Sequence, residues 1–128
     1  MKRLLSFALA TSVAAFTLLP ALAAEPFGKW VRPSTGAQVN FYDCGGKLCA
    51  KIVAVKAASS AKEVGTVIVN GAVKTGDNEW KGNLLDTENG KTYSGVITLV
   101  GADGLNLKGC ALGIICEGET WRRVKGSD

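Results

Sequence analysis

From Ala24 onward the chain is interrupted every few residues by Gly, Asn or Asp, and the runs between are β-favouring with almost no helical period. Short extended runs at that spacing fold as a β-sandwich or a β-barrel. Eight candidate strands can be read: Lys29–Arg32, Ala37–Asp43, Leu48–Val55, Thr66–Val73, Glu79–Leu85, Lys91–Val100, Leu105–Cys110 and Cys116–Val124. The connections Pro33-Ser34-Thr35-Gly36, Cys44-Gly45-Gly46-Lys47, Gly76-Asp77-Asn78, Thr87-Glu88-Asn89-Gly90 and Gly101-Ala102-Asp103-Gly104 are rich in residues that accept positive φ or close Asx turns. Strands joined so tightly pair antiparallel with their sequence neighbours. The segment from Lys56 to Val64 interrupts this meander once, as a single helical turn or a flexible loop.

Alternation identifies a buried face. Val39 and Phe41 oppose Gln38, Asn40 and Tyr42, and Leu105 and Leu107 oppose Asn106 and Lys108. Eight antiparallel strands with one apolar face satisfy their edges best by closing, and a barrel of that size holds side chains or one small ligand. The expected class is all-β, a small antiparallel eight-stranded barrel with at most one short helical turn. A two-sheet sandwich is the competing architecture.

The first 24 residues differ from the rest. Met1-Lys2-Arg3 is basic, Leu4 to Leu19 is apolar apart from Ser and Thr, and Pro20-Ala21-Leu22-Ala23-Ala24 ends in small residues. This is the pattern of a secretory signal peptide, with residues 25–128 as one mature domain, periplasmic or secreted. The rival, an uncleaved anchor, is disfavoured because the apolar run is shorter than the roughly 20 residues a spanning helix needs. Without Lys2 and Arg3, the 15 basic and 11 acidic residues become 13 and 11, a net charge of +2. The lysines are spread singly with acids between them, which argues against nucleic-acid binding. The chain has no His, so the usual general base and the commonest zinc ligand are missing.

Cys44 and Cys49 flank a Gly-Gly turn, and Cys110 and Cys116 flank Ala111–Ile115. Four cysteines allow three pairings, and the two local ones, Cys44–Cys49 and Cys110–Cys116, are geometrically easiest across hairpins. A redox or metal site is the rival reading. It lacks the Cys-x-x-Cys spacing of a dithiol oxidoreductase. Asp86-Thr87-Glu88-Asn89-Gly90 superficially resembles a calcium loop, but its Asn and Gly fall one place early, and Asn-Gly reads as a hairpin turn. No metal or cofactor is expected. Phe41, Trp80, Tyr93 and Trp121 are candidates for lining a pocket, with Trp80 and Tyr93 flanking one hairpin; filling the barrel is the simpler use of the same aromatics. Asp43, Glu79, Asp86 and Glu88 fall at strand ends or turns with no pairing that would make an acid–base couple, and Ser94 has no visible base.

Gly28-Lys29-Trp30, Cys44–Val53, Trp80-Lys81-Gly82, Gly90–Gly95, Leu107–Cys110 and Thr120–Val124, in this order, resemble the exported bacterial family catalogued as domain of unknown function 2147. The resemblance implies a compact barrel similar to the lipocalin and calycin group, and it supplies no reaction. It also implies that Trp30 lies under Arg123 from the last strand, a cation on an indole face that closes one barrel end. Two departures stand out: Ala50 follows Cys49, and Asp86-Thr87-Glu88 replaces a common Asp-Pro.

Together these features lead to a non-enzymatic exported module holding a small, largely apolar molecule in or at the mouth of the barrel. The alternative is an envelope interaction or structural protein with a filled barrel, meeting an envelope partner through its outer face. An enzyme is the third reading.

Overall fold

The computed structural model describes residues 24–112 and 114–125, so the leader read at residues 1–24 lies outside the described residues except for Ala24. Eight strands follow in order: β1 (Gly28–Val31), β2 (Gln38–Asp43), β3 (Leu48–Ala54), β4 (Val67–Gly76), β5 (Glu79–Asp86), β6 (Lys91–Val100), β7 (Gly104–Ala111) and β8 (Ile115–Arg123). Each pairs antiparallel with the next, and β1 returns to β8 through Trp30 opposite Arg123 and Val31 opposite Arg122. The sheet is closed and leaves no edge, which rules out the sandwich. The Lys56–Val64 segment carries one 3₁₀ helix, Ala58–Glu63.

Local chemistry accounts for the turns. Between β5 and β6, Asp86 Oδ1 accepts the Glu88 N–H and Asn89 Oδ1 accepts the Lys91 N–H, both at 2.8 Å, while Gly90 takes a φ of +73°. These side-chain acceptors satisfy the amides that a tight reversal leaves open. Alternation sets the faces: Val39, Phe41, Ile97, Leu99, Leu105 and Leu107 are buried, and the residues between them are more exposed.

Because the strands alternate in direction, the barrel has two distinct ends. The turns β2–β3, β4–β5 and β6–β7 gather at one, together with the start of β1 and the finish of β8. The loops β1–β2, β3–β4, β5–β6 and β7–β8 gather at the other. Both local cysteine pairs are disulfide-bonded, and they staple opposite ends: Cys44–Cys49 spans the β2–β3 turn, and Cys110–Cys116 joins direct cross-strand partners next to the β7–β8 loop.

Candidate functional site: a half-filled barrel

The two ends are built differently. At the first end, Trp30, Phe41, Trp80, Ile97, Leu99 and Leu105 fill the interior, with Trp80 the most exposed of them at 8%. Arg123 caps this end: its guanidinium lies 4.2 Å from the Trp30 ring centroid and donates to the carbonyls of Ala102, Phe27 and Glu25. Trp30 Nε1 in turn donates to the Pro26 carbonyl at 2.8 Å. The chain enters β1 tightly here, at Gly28, whose φ is +114° and where a Cβ would stand 3.3 Å from Arg123 Nη1.

Toward the second end the filling stops. Val39, Ile52, Leu107 and Trp121 belong to the core and also form the floor of an open cavity of about 680 Å³. Phe41 supports this floor from below, its ring edge-on to Trp121 at 6.1 Å between centroids. Ile68, Leu84 and Tyr93 continue the apolar wall. Gly82, Gly95 and Gly109 are registered partners on three adjacent strands, so one level of the wall carries no side chains of its own and its neighbours, Ala72, Leu84 and Tyr93, pack against it. Leu84 folds across this row, and a Cβ on Gly95 would overlap its Cγ.

The rim is polar and mostly acidic. Arg32 Nε lies 3.5 Å from Glu119 Oε1, and its Nη2 lies 3.9 Å from Glu88 Oε1. Ser34 Oγ donates to the Glu119 carboxylate at 3.2 Å. Thr87 Oγ1 donates to Glu63 Oε1 at 2.8 Å, tying the 3₁₀ helix to the β5–β6 turn across the mouth. Charged side chains on the cavity lining are Arg32 and Lys56 against Glu63, Asp86, Glu88, Glu117 and Glu119, a net of three negative charges. Two buried N–H groups of the lining, Arg32 Nε and Trp121 Nε1, have no hydrogen-bond acceptor among the described residues.

The structure separates the four aromatics singled out from sequence. Tyr93 and Trp121 line the cavity; Phe41 and Trp80 lie in the filled half. Trp80 and Tyr93 share a hairpin but not a cavity, because Trp80 is opposite Ile97 and Tyr93 is opposite Leu84, four residues further along β5. Trp80 is instead covered by Lys74, whose Nζ is 5.8 Å from the ring centroid. Sequence reasoning passed over Arg32, Glu117 and Glu119. The signal for the two glutamates was in β8, where Ile115, Glu117, Glu119 and Trp121 share one face: carboxylates at positions that alternation assigns to the interior mean that part of the interior is wet. Among the described residues no three His, Cys, Asp or Glu side chains are grouped to hold a metal ion, and no helix is long and apolar enough to cross a membrane.

Residues 28–123, the whole span from the first strand to the last, match the family model DUF2147, described as an uncharacterized protein conserved in bacteria. The chain belongs to this family. No curated protein matches it. Among solved structures, protein HP1028 from the human pathogen Helicobacter pylori, described as belonging to the lipocalin family, is similar at a TM-score of 0.64 and 19% identity. The match covers 80% of this chain and 84% of that one. At that identity the likeness concerns the fold, and this DUF2147 barrel is lipocalin-like.

Proposed function

We propose that the protein is an exported, non-enzymatic binding module that holds a small, largely apolar molecule in the open half of its barrel. One observation carries the reading: the interior is packed at one end and opens at the other into a cavity of about 680 Å³ with an apolar floor and a charged rim, within the size range of small-molecule sites. A barrel filled throughout, as a purely structural envelope protein would have, lacks such a space. Tyr93 and Trp121 are the aromatics that touch the ligand on this reading, and Phe41 and Trp80 hold the floor from beneath. Export is supported by the leader pattern of residues 1–24 and by two disulfides, which persist in oxidising compartments.

The test uses protein purified from cells expressing the full chain. A neutral lipophilic fluorophore such as N-phenyl-1-naphthylamine should bind saturably at one site. Ala111→Trp, which fills the mouth beside Ile115, should weaken that binding about tenfold or more. Absence of saturable binding, together with no small molecule released on denaturation, sinks the proposal.

A further inference from the structure

The cavity's charge selects its ligand. Resting on the binding role proposed above, we infer that the site takes a cationic amphiphile, with an apolar chain against Leu84, Leu107 and Trp121 and a positively charged head at the rim between Asp86 and Glu117. Three observations converge. The lining carries a net of three negative charges, although the chain from residue 25 onward has a net charge of +2, so the mouth is opposite in sign to the molecule around it. Such a concentration in a partly enclosed cleft with apolar walls focuses the field on whatever enters.

Of the two cations on the lining, Arg32 is already engaged among these acids, and Lys56 alone stands against the five carboxylates. Arg32 sits between Glu119 and Glu88, so an anionic headgroup would have to displace a carboxylate from it while facing the rest. Glu117, by contrast, has no ion pair among the described residues, and Asp86 is engaged through one oxygen with a backbone N–H rather than a cation. Both remain open to a positive head. The third observation lies at the cavity floor. Trp121 is 4% exposed, and its Nε1 has no acceptor among the described residues. A buried donor left unpaired is costly, and an oxygen along the ligand's apolar chain would satisfy it. A head that is positive and a body that is apolar but carries an acceptor describe one class of molecule.

The experiment compares three twelve-carbon probes of one chain length, all below micellar concentration: dodecylammonium, dodecanol and dodecanoate. Each is titrated as a competitor of N-phenyl-1-naphthylamine on the protein purified from cells expressing the full chain. The expected order is ammonium tightest, alcohol next and carboxylate weakest, with about tenfold or more between the first and the last in low salt. Raising the salt to about 0.5 M should narrow that gap, because exposed rim charges are screened. The double variant D86N/E117Q keeps the shape and the Asn89 turn. It should bring ammonium binding to within about threefold of dodecanol on the same variant. Dodecanoate binding as tightly as dodecylammonium, or a D86N/E117Q variant that retains the full preference, overturns the charge inference and leaves the calyx standing. If the fluorophore binds saturably but none of the three displaces it, this inference falls while the binding role stands; if the fluorophore itself finds no saturable site, both fall.

Discussion

Removing the Arg123 guanidinium should be among the most destabilising single changes on the protein's surface. The side chain makes three hydrogen bonds to main-chain carbonyls, at 2.9 Å to Ala102, 2.7 Å to Phe27 and 2.6 Å to Glu25, and lies 4.2 Å from the Trp30 ring centroid. The bonds are solvent-exposed, so each is taken near about 0.7 kcal/mol rather than the higher value of a buried charged bond. The stacking on the indole adds about 1 kcal/mol. Arg123→Ala should therefore cost about 3 kcal/mol, since the same group ties the entry to β1, the β6–β7 turn and the last strand into one cap. For a domain of about 100 residues that corresponds to a fall in Tm of roughly 15 °C, read by circular dichroism or calorimetry. Arg123→Lys keeps a cation over the ring but loses the planar fork, so its Tm should fall between the two. Fluorophore affinity should not change, because the cavity opens at the opposite end. An Arg123→Ala variant melting within about 2 °C of the parent would refute the claim that this cap holds the filled end closed.

Three further predictions concern the wall and the rim. Gly95→Ala should destabilise by about 2 kcal/mol because its Cβ overlaps Leu84, and combining it with Leu84→Ala should cost clearly less than the two single changes added together; strict additivity in denaturant titrations would show that the two do not compete for space. Replacing Cys110 and Cys116 by Ser opens a loop closed over a sequence separation of six and should cost about 2 kcal/mol, lowering Tm without abolishing the fold; complete unfolding at 25 °C would contradict a minor staple. Leu112 is 89% exposed and held at a φ of +57°, so Leu112→Gly should stabilise by about 1 kcal/mol, and a lowered Tm would count against strain there.

Period-two alternation and turn chemistry made the strands legible, since both are local: the eight candidate runs match the observed strands to within a few residues, β4 running on to Gly76 beyond Val73. The cysteine pairs were legible for the same reason, each being a neighbour across one hairpin. Height along the barrel axis was not. Phe41 and Trp121 are both inward, yet one lies beneath the floor and the other forms it, because their level depends on the stagger accumulated around the closed sheet. The bulges in β4 add to this: the register against β5 shifts between Val69 and Val73, beside Gly71 at φ +90°, and no alternation count anticipates such a shift. Gly82, Gly95 and Gly109 were visible as glycines within strands, but nothing in the linear sequence showed that they stand side by side.

The division of the interior explains why a small barrel can keep half of itself open. Leaving a cavity forgoes contacts that close packing would supply, so the stabilisation must be concentrated elsewhere. Here it is concentrated in the end that holds Trp30, Phe41, Trp80 and the Arg123 cap, while the open end is held by covalent and polar ties: the Cys110–Cys116 bridge, Thr87 on Glu63, and Arg32 between Glu88 and Glu119. Those ties act at the circumference and occupy little of the space within. A barrel shaped by packing alone would continue the inward face of β8 with apolar residues from Trp121 to Ile115. Glu119 and Glu117 stand there instead, carboxylates at positions that burial would penalise unless solvent or a charged partner reaches them. That choice of residues makes sense for a chamber whose contents enter from the rim, and it makes little sense for a plug.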